Sequence, residues 1–105
     1  MKVVIKHPGK IGEYADIPNK LEDLQALVGG YIEFVHVNSD MVAIVNEEGK
    51  LKKLPKNCCG LVGTIVFSGT DDQGELTDID PDYAEVLTDG FVPMMGGTCF
   101  VKGED

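Results

Sequence analysis

The chain contains no arginine and no tryptophan, only three cysteines, and no apolar run near the roughly 18 residues that a bilayer-spanning helix needs. Each shortage removes a class of function. Without arginine there is no planar fork to read guanine edges or grip phosphate bidentately, and a net charge of −9 repels nucleic acid at long range. No nucleic-acid partner and no membrane partner are therefore expected. The apolar Val3-Val4-Ile5, flanked by Lys2 and Lys6, is too short for the core of a signal peptide. A cytoplasmic location follows as the expectation. An odd cysteine count, with Cys58 and Cys59 adjacent, does not make a disulfide framework and fits a reducing compartment. Cys99, His7 and His36 are scattered, with no CxxC or HxxxH spacing, so no metal site is expected, and no motif calls for a cofactor.

What is present is enough for one domain of 105 residues, 43% hydrophobic and 26% charged. The charge is unevenly distributed. Residues 1–70 hold eight lysines and eight acids, whereas residues 71–105 hold ten acids and only Lys102.

Residues 2–6 alternate as a strand that His7-Pro8-Gly9 ends, and residues 13–17 suit a short second strand. Asn19 as N-cap, with Glu22 three residues later, predicts a helix at about 20–29. Leu21, Leu24, Leu27 and Val28 form its apolar face, and Gly29-Gly30 stop it. Tyr31 to Val37 alternates as a strand, with His36 half-buried. Met41 to Val45 and Leu61 to Phe67 are apolar on both faces, which predicts central strands, the second carrying Gly63 and Thr64 in its middle. Asp80-Pro81 starts a shorter helix at about 81–88, with Tyr83, Val86 and Leu87 as its apolar edge. Residues 90–105, with a Met94-Met95-Gly96-Gly97 turn, predict a hairpin or a docked tail. The fold class is α+β: one domain, mainly an antiparallel sheet of five or six strands, with a helix on one face.

Three stretches carry a family resemblance. They are Leu21-Glu22-Asp23-Leu24-Gln25-Ala26-Leu27-Val28-Gly29-Gly30-Tyr31-Ile32-Glu33, then Asn46-Glu47-Glu48-Gly49-Lys50-Leu51, then Leu54-Pro55-Lys56-Asn57 followed by Val62-Gly63-Thr64. In this order and spacing the chain resembles an uncharacterised family of small domains carried by phages, plasmids and conjugative elements, over roughly residues 1–88. Residues 90–105 fall outside that match. The resemblance implies a context rather than a chemistry: an accessory protein that acts on host machinery by sequestering a defence signal or occluding a host protein. It supplies no catalytic residues.

The residues point to catalysis only weakly. There is no Gly-x-Ser-x-Gly, no phosphate-binding Gly-x-x-x-x-Gly-Lys loop and no HExxH. Asp78-Ile79-Asp80-Pro81-Asp82 begins like a calcium loop but places Tyr83 where that loop needs glycine, so it is taken as a turn and helix cap. Four lysines, Lys50, Lys52, Lys53 and Lys56, crowd into seven residues. Their ordinary reading is a lysine-protected edge strand or a solvated loop. The functional reading is an anion site, with Asn46 and Asn57 adding amide groups, and Gly63 and Thr64 letting a ligand approach a neighbouring strand.

The expected function is non-enzymatic binding of a nucleotide-type small molecule in the service of counter-defence, with self-association possible. Two alternatives stand beside it. One is an acidic inhibitor that binds a basic host protein by mimicking nucleic-acid charge, resting on eight acids and no base between residues 71 and 89. The other is a small nucleotide hydrolase.

Overall fold

The computed structural model describes residues 1–94 and 100–103. Among the described residues, eight strands and two helices follow one another as β1 (Lys2–Lys6), β2 (Glu13–Asp16), α1 (Leu21–Val28), β3 (Ile32–His36), β4 (Met41–Asn46), β5 (Ile65–Thr70), β6 (Leu76–Thr77), α2 (Pro81–Thr88), β7 (Phe91–Pro93) and β8 (Phe100–Lys102). The main sheet is antiparallel throughout, in the order β2-β1-β5-β4-β3, and β6 also pairs with β5. This is the expected α+β domain with its six-stranded sheet and two helices. β7 and β8 form a separate two-stranded ribbon, Phe91 opposite Lys102 and Pro93 opposite Phe100. Residues 95–97 of the expected turn, with Thr98 and Cys99, lie outside the described residues.

Both faces of the sheet are covered, and strand alternation assigns each residue to a side. Val3, Ile5, Val42, Ile44 and Val66 pack with Leu24 and Val28 of α1. Val4, Met41, Ala43, Val45, Ile65 and Phe67 face the other way, onto Ala84 and Leu87 of α2. All six residues of β4 are buried, as two apolar faces require. A two-sided core makes the parity of a polar strand residue consequential. Lys6 shares the parity of Val4, so its stem lies under the α2 face, and the residue is only 2% exposed.

Several local expectations are corrected. The N-cap of α1 is Lys20, extended and without a side-chain cap, rather than Asn19. The Lys20 carbonyl itself accepts from Asp23 and Leu24. Leu21, expected on the apolar face, is exposed, whereas Leu24 and Val28 of the same helix are buried. Gly29 ends α1 in a left-handed conformation (φ 81°), its N–H bonded to the Gln25 carbonyl. His36 is exposed, not half-buried, because β3 is an edge strand whose pairing ends there. The strand expected from Leu61 begins only at Ile65. Gly63 takes φ 74°, which breaks the extended run, and its N–H bonds to the Pro55 carbonyl at 2.7 Å. Asp80 and Pro81 start α2 as expected, the Asp80 carboxylate accepting from Asp82 N–H at 2.8 Å.

Candidate functional site

Residues 47–64 form the irregular segment between β4 and β5, and the eight nominated positions lie in it or, for Asn46, at the end of β4 directly before it. Its first part is a run of turns, closed by Gly49 N–H to the Asn46 carbonyl, Lys52 N–H to Glu48 and Leu54 N–H to Gly49. The lysine island is therefore a solvated loop, not an edge strand. Half-buried Leu54 anchors it, and a Cβ built on Gly63 would sit 2.8 Å from the Leu54 Cδ1. The glycine is needed for that packing and for its left-handed φ.

The second part folds back on itself. Lys56 bridges to Val62, Asn57 N–H bonds to the Leu61 carbonyl, and a single 3-10 turn, Cys58–Gly60, forms the tip.

The structure separates the nominated residues. Lys50, Lys56 and Asn57 line a groove of about 430 Å³ with Gly60, Leu61 and Val62. Lys50, Leu61 and Val62 continue into an adjoining groove of about 290 Å³, whose wall adds Val35, Val45 and Asn46 and also the acids Glu33 and Glu47. Lys52 points elsewhere, onto a smaller hollow with Tyr31 and Gln25 beside α1. Lys53 lines none of these hollows and holds φ 54°. Thr64 lies outside them too, its hydroxyl 3.0 Å from the His7 Nδ1.

Both asparagine side chains are engaged by the backbone. Asn46 donates to the Val28 carbonyl at 3.2 Å and accepts from Glu48 N–H at 2.8 Å, which ties α1 to the turn after β4. Asn57 accepts from Cys58 N–H at 2.7 Å and donates to the carbonyls of Lys6 at 2.9 Å and Gly63 at 2.7 Å. Among the described residues every buried side-chain nitrogen and oxygen has a hydrogen-bond partner. A ligand in the groove would therefore meet the Lys50 and Lys56 ammonium groups and an apolar floor, rather than free amides.

A second cluster was not assembled from the sequence. Cys58 and Cys59 are half-buried, their sulfurs 3.2 Å apart, and the Cys59 Sγ is also 3.2 Å from the Pro93 carbonyl. Lys6 approaches from β1, its Nζ donating to the Lys10 carbonyl at 2.6 Å. The Cys59 S–H bond to Cys58 holds the Cys58 thiol below its ordinary value, helped by the Lys6 charge and opposed by burial. The same hydrogen bond, together with burial, pushes Cys59 strongly up. A cavity of about 530 Å³ opens beside the pair, lined by Gly9, Lys56, Asn57, Val92, Lys102 and Gly103. The parity of Lys6 with Val4 was the available signal, but it acquires meaning only once both faces of the sheet are known to be covered.

The acidic segment is distributed along turns and α2. Asp71 accepts from Gln73 and Glu75 N–H, Asp78 from Lys2 N–H and Asp80 from Asp82 N–H, so three of its eight carboxylates serve the backbone. No group of three or more His, Cys, Asp or Glu side chains among the described residues could hold a metal ion. No described helix is long and apolar enough to cross a membrane.

No curated protein and no solved structure matches the chain. A family model does match, over residues 1–92, and takes in β1 through α2 and most of β7. The chain belongs to that family, DUF3846, a domain of unknown function.

Proposed function

We propose that the protein is a non-enzymatic binding protein that sequesters a nucleotide-type anion in the groove between Lys50 and Lys56. The observation that carries this reading is the composition of that groove: two ammonium groups above Leu61 and Val62, in about 430 Å³. Phosphate oxygens suit the ammonium groups, and a base suits the apolar floor. The resemblance to domains of phages and conjugative elements supplies the setting. There, in the host cytoplasm, removal of a nucleotide signal counters a defence response. The acidic face is the weaker basis for function, since several of its carboxylates already hold turns and a helix cap.

A hydrolase reading draws on one contact, the His7 imidazole 3.0 Å from the Thr64 hydroxyl. One experiment addresses both readings. Calorimetry against a panel of cyclic and linear nucleotide signals identifies the ligand, and heat release of the bound molecule then reports its fate. An intact molecule supports sequestration, a cleaved one supports hydrolysis, and no binding across the panel overturns both. Loss of one ammonium–phosphate contact, as in Lys56→Gln, should weaken binding about tenfold or more, from roughly 1.5–3 kcal/mol per charged hydrogen bond.

A further inference from the structure

The thiol pair in the 3-10 turn has the geometry of a reactive site and takes no part in the proposed ligand groove. Cys58 and Cys59 form the wall of a cavity of about 530 Å³ whose other lining side chains include the cations Lys56 and Lys102. The turn is fixed from both ends. Asn57 receives the Cys58 N–H, and Cys59 is held in the left-handed region at φ 64°. Lys6, only 2% exposed, brings a third cation beneath the pair from β1. Half-buried sulfur facing a cavity with a cationic lining is a setting in which a thiolate forms and anionic reagents gather.

We propose that Cys58 is a covalent modification site for an anionic low-molecular-weight disulfide. The disulfide seats in the cavity that Lys56 and Lys102 line, and one half remains on the protein as a mixed disulfide. The Cys58 thiolate sulfur attacks one sulfur of the reagent. A new sulfur–sulfur bond forms, the reagent's own breaks, and its second half leaves as a thiolate that takes a proton from water. The reagent is the only oxidant the step needs.

Cys59 does not resolve the product. Adjacent residues have Cα atoms about 3.8 Å apart, below the roughly 4.4–6.8 Å that disulfides span, so closure between neighbours is strained. Its proton also keeps an acceptor once Cys58 is modified, because the Pro93 carbonyl lies 3.2 Å from the Cys59 sulfur. Cys58 is thus the nucleophile, and Cys59 is a positioning residue that donates to it.

The inference stands apart from the ligand reading, sharing only Lys56 and Asn57 with that groove. The full chain is incubated with glutathione disulfide, which is anionic, and separately with cystamine disulfide, which is cationic. Products are mapped by intact mass and peptide digestion. The expected result is one glutathionyl group, on Cys58. The rate preference for the anionic reagent should be at least about fivefold greater than that of a peptide spanning residues 57–60, and Lys102→Gln should reduce it by about half or more. Label on Cys59 or Cys99, loss of two hydrogens without added mass, no reaction, or a preference equal to the peptide's would each overturn the proposal. The wild-type map decides the site without any variant that must fold. Cys59→Ser, which retains a donor, should keep the label on Cys58.

Discussion

Asn57 donates one amide hydrogen to the carbonyl of Lys6 at 2.9 Å, joining the loop before β5 to the end of β1 across 51 positions of sequence. The other amide hydrogen goes to Gly63, and its oxygen receives Cys58 N–H. A residue nominated as a ligand donor is thereby a brace for the loop that carries both the groove and the thiol pair. Asn57→Ala leaves three backbone groups without partners, and should cost about 2–3 kcal/mol of stability. Thermal unfolding should show a midpoint lower by roughly 10 °C or more. A midpoint within 2 °C of wild type would show that water replaces the brace.

Gly63→Ala should also destabilise, for a steric reason. A Cβ there would meet Leu54 Cδ1 at 2.8 Å, in a residue already at φ 74°. The left-handed conformation alone costs an L-residue about 1–2 kcal/mol, and displacement of Leu54 adds to it. Chemical denaturation should report a loss of about 2 kcal/mol. Gly9→Ala, also at positive φ but with open space around its Cβ, should lose only the conformational part.

The four lysines should divide by position. Lys56 and Lys50 line the 430 Å³ groove, whereas Lys53 does not. If the calorimetric panel yields a nucleotide ligand, titration with it should show Lys56→Ala about tenfold weaker and Lys53→Ala unchanged within twofold. All four are exposed, so neither substitution should move the unfolding midpoint appreciably. Equal losses at Lys53 and Lys56 would point to a diffuse attraction rather than a groove.

The two thiols should separate in their response to pH. Only the thiolate is alkylated, and the Cys59 S–H bond holds Cys58 below the ordinary thiol value while the same bond and burial hold Cys59 above it. As pH falls through that ordinary value, Cys58 therefore keeps its reactivity and Cys59 has already lost it. Iodoacetamide labelling at pH 7.5, read by peptide mass, should favour Cys58 over Cys59 by at least tenfold. Lys6→Met removes a charge that stabilises the thiolate, and should move the Cys58 profile to higher pH. The other cations to account for are Lys56 and Lys102, across the cavity.

Periodicity and punctuation were enough to define the α+β class. Double-faced apolar runs marked β4 and β5 as interior strands, Gly29 stopped α1, and Asp80-Pro81 opened α2, because these signals act over a few residues and are written in the local chain. The lysine loop was legible as a cluster of charge. Its division into Lys50 and Lys56 on one groove, Lys52 on another hollow and Lys53 on neither depended on the turns that fold residues 46–63 back on themselves. Gly63 looked like mid-strand and proved to be a left-handed break, its N–H bonded back to the Pro55 carbonyl and its lack of a Cβ leaving room for Leu54, partners that lie eight and nine positions away in sequence. The meeting of Lys6 with Cys58, some fifty positions apart, had no local signature. It required β1 and β5 to be neighbours, the α2 face to be covered, and strand alternation to turn Lys6 inward with Val4. Sequence spacing determined which residues alternate, whereas only the packed sheet decided which side was inside.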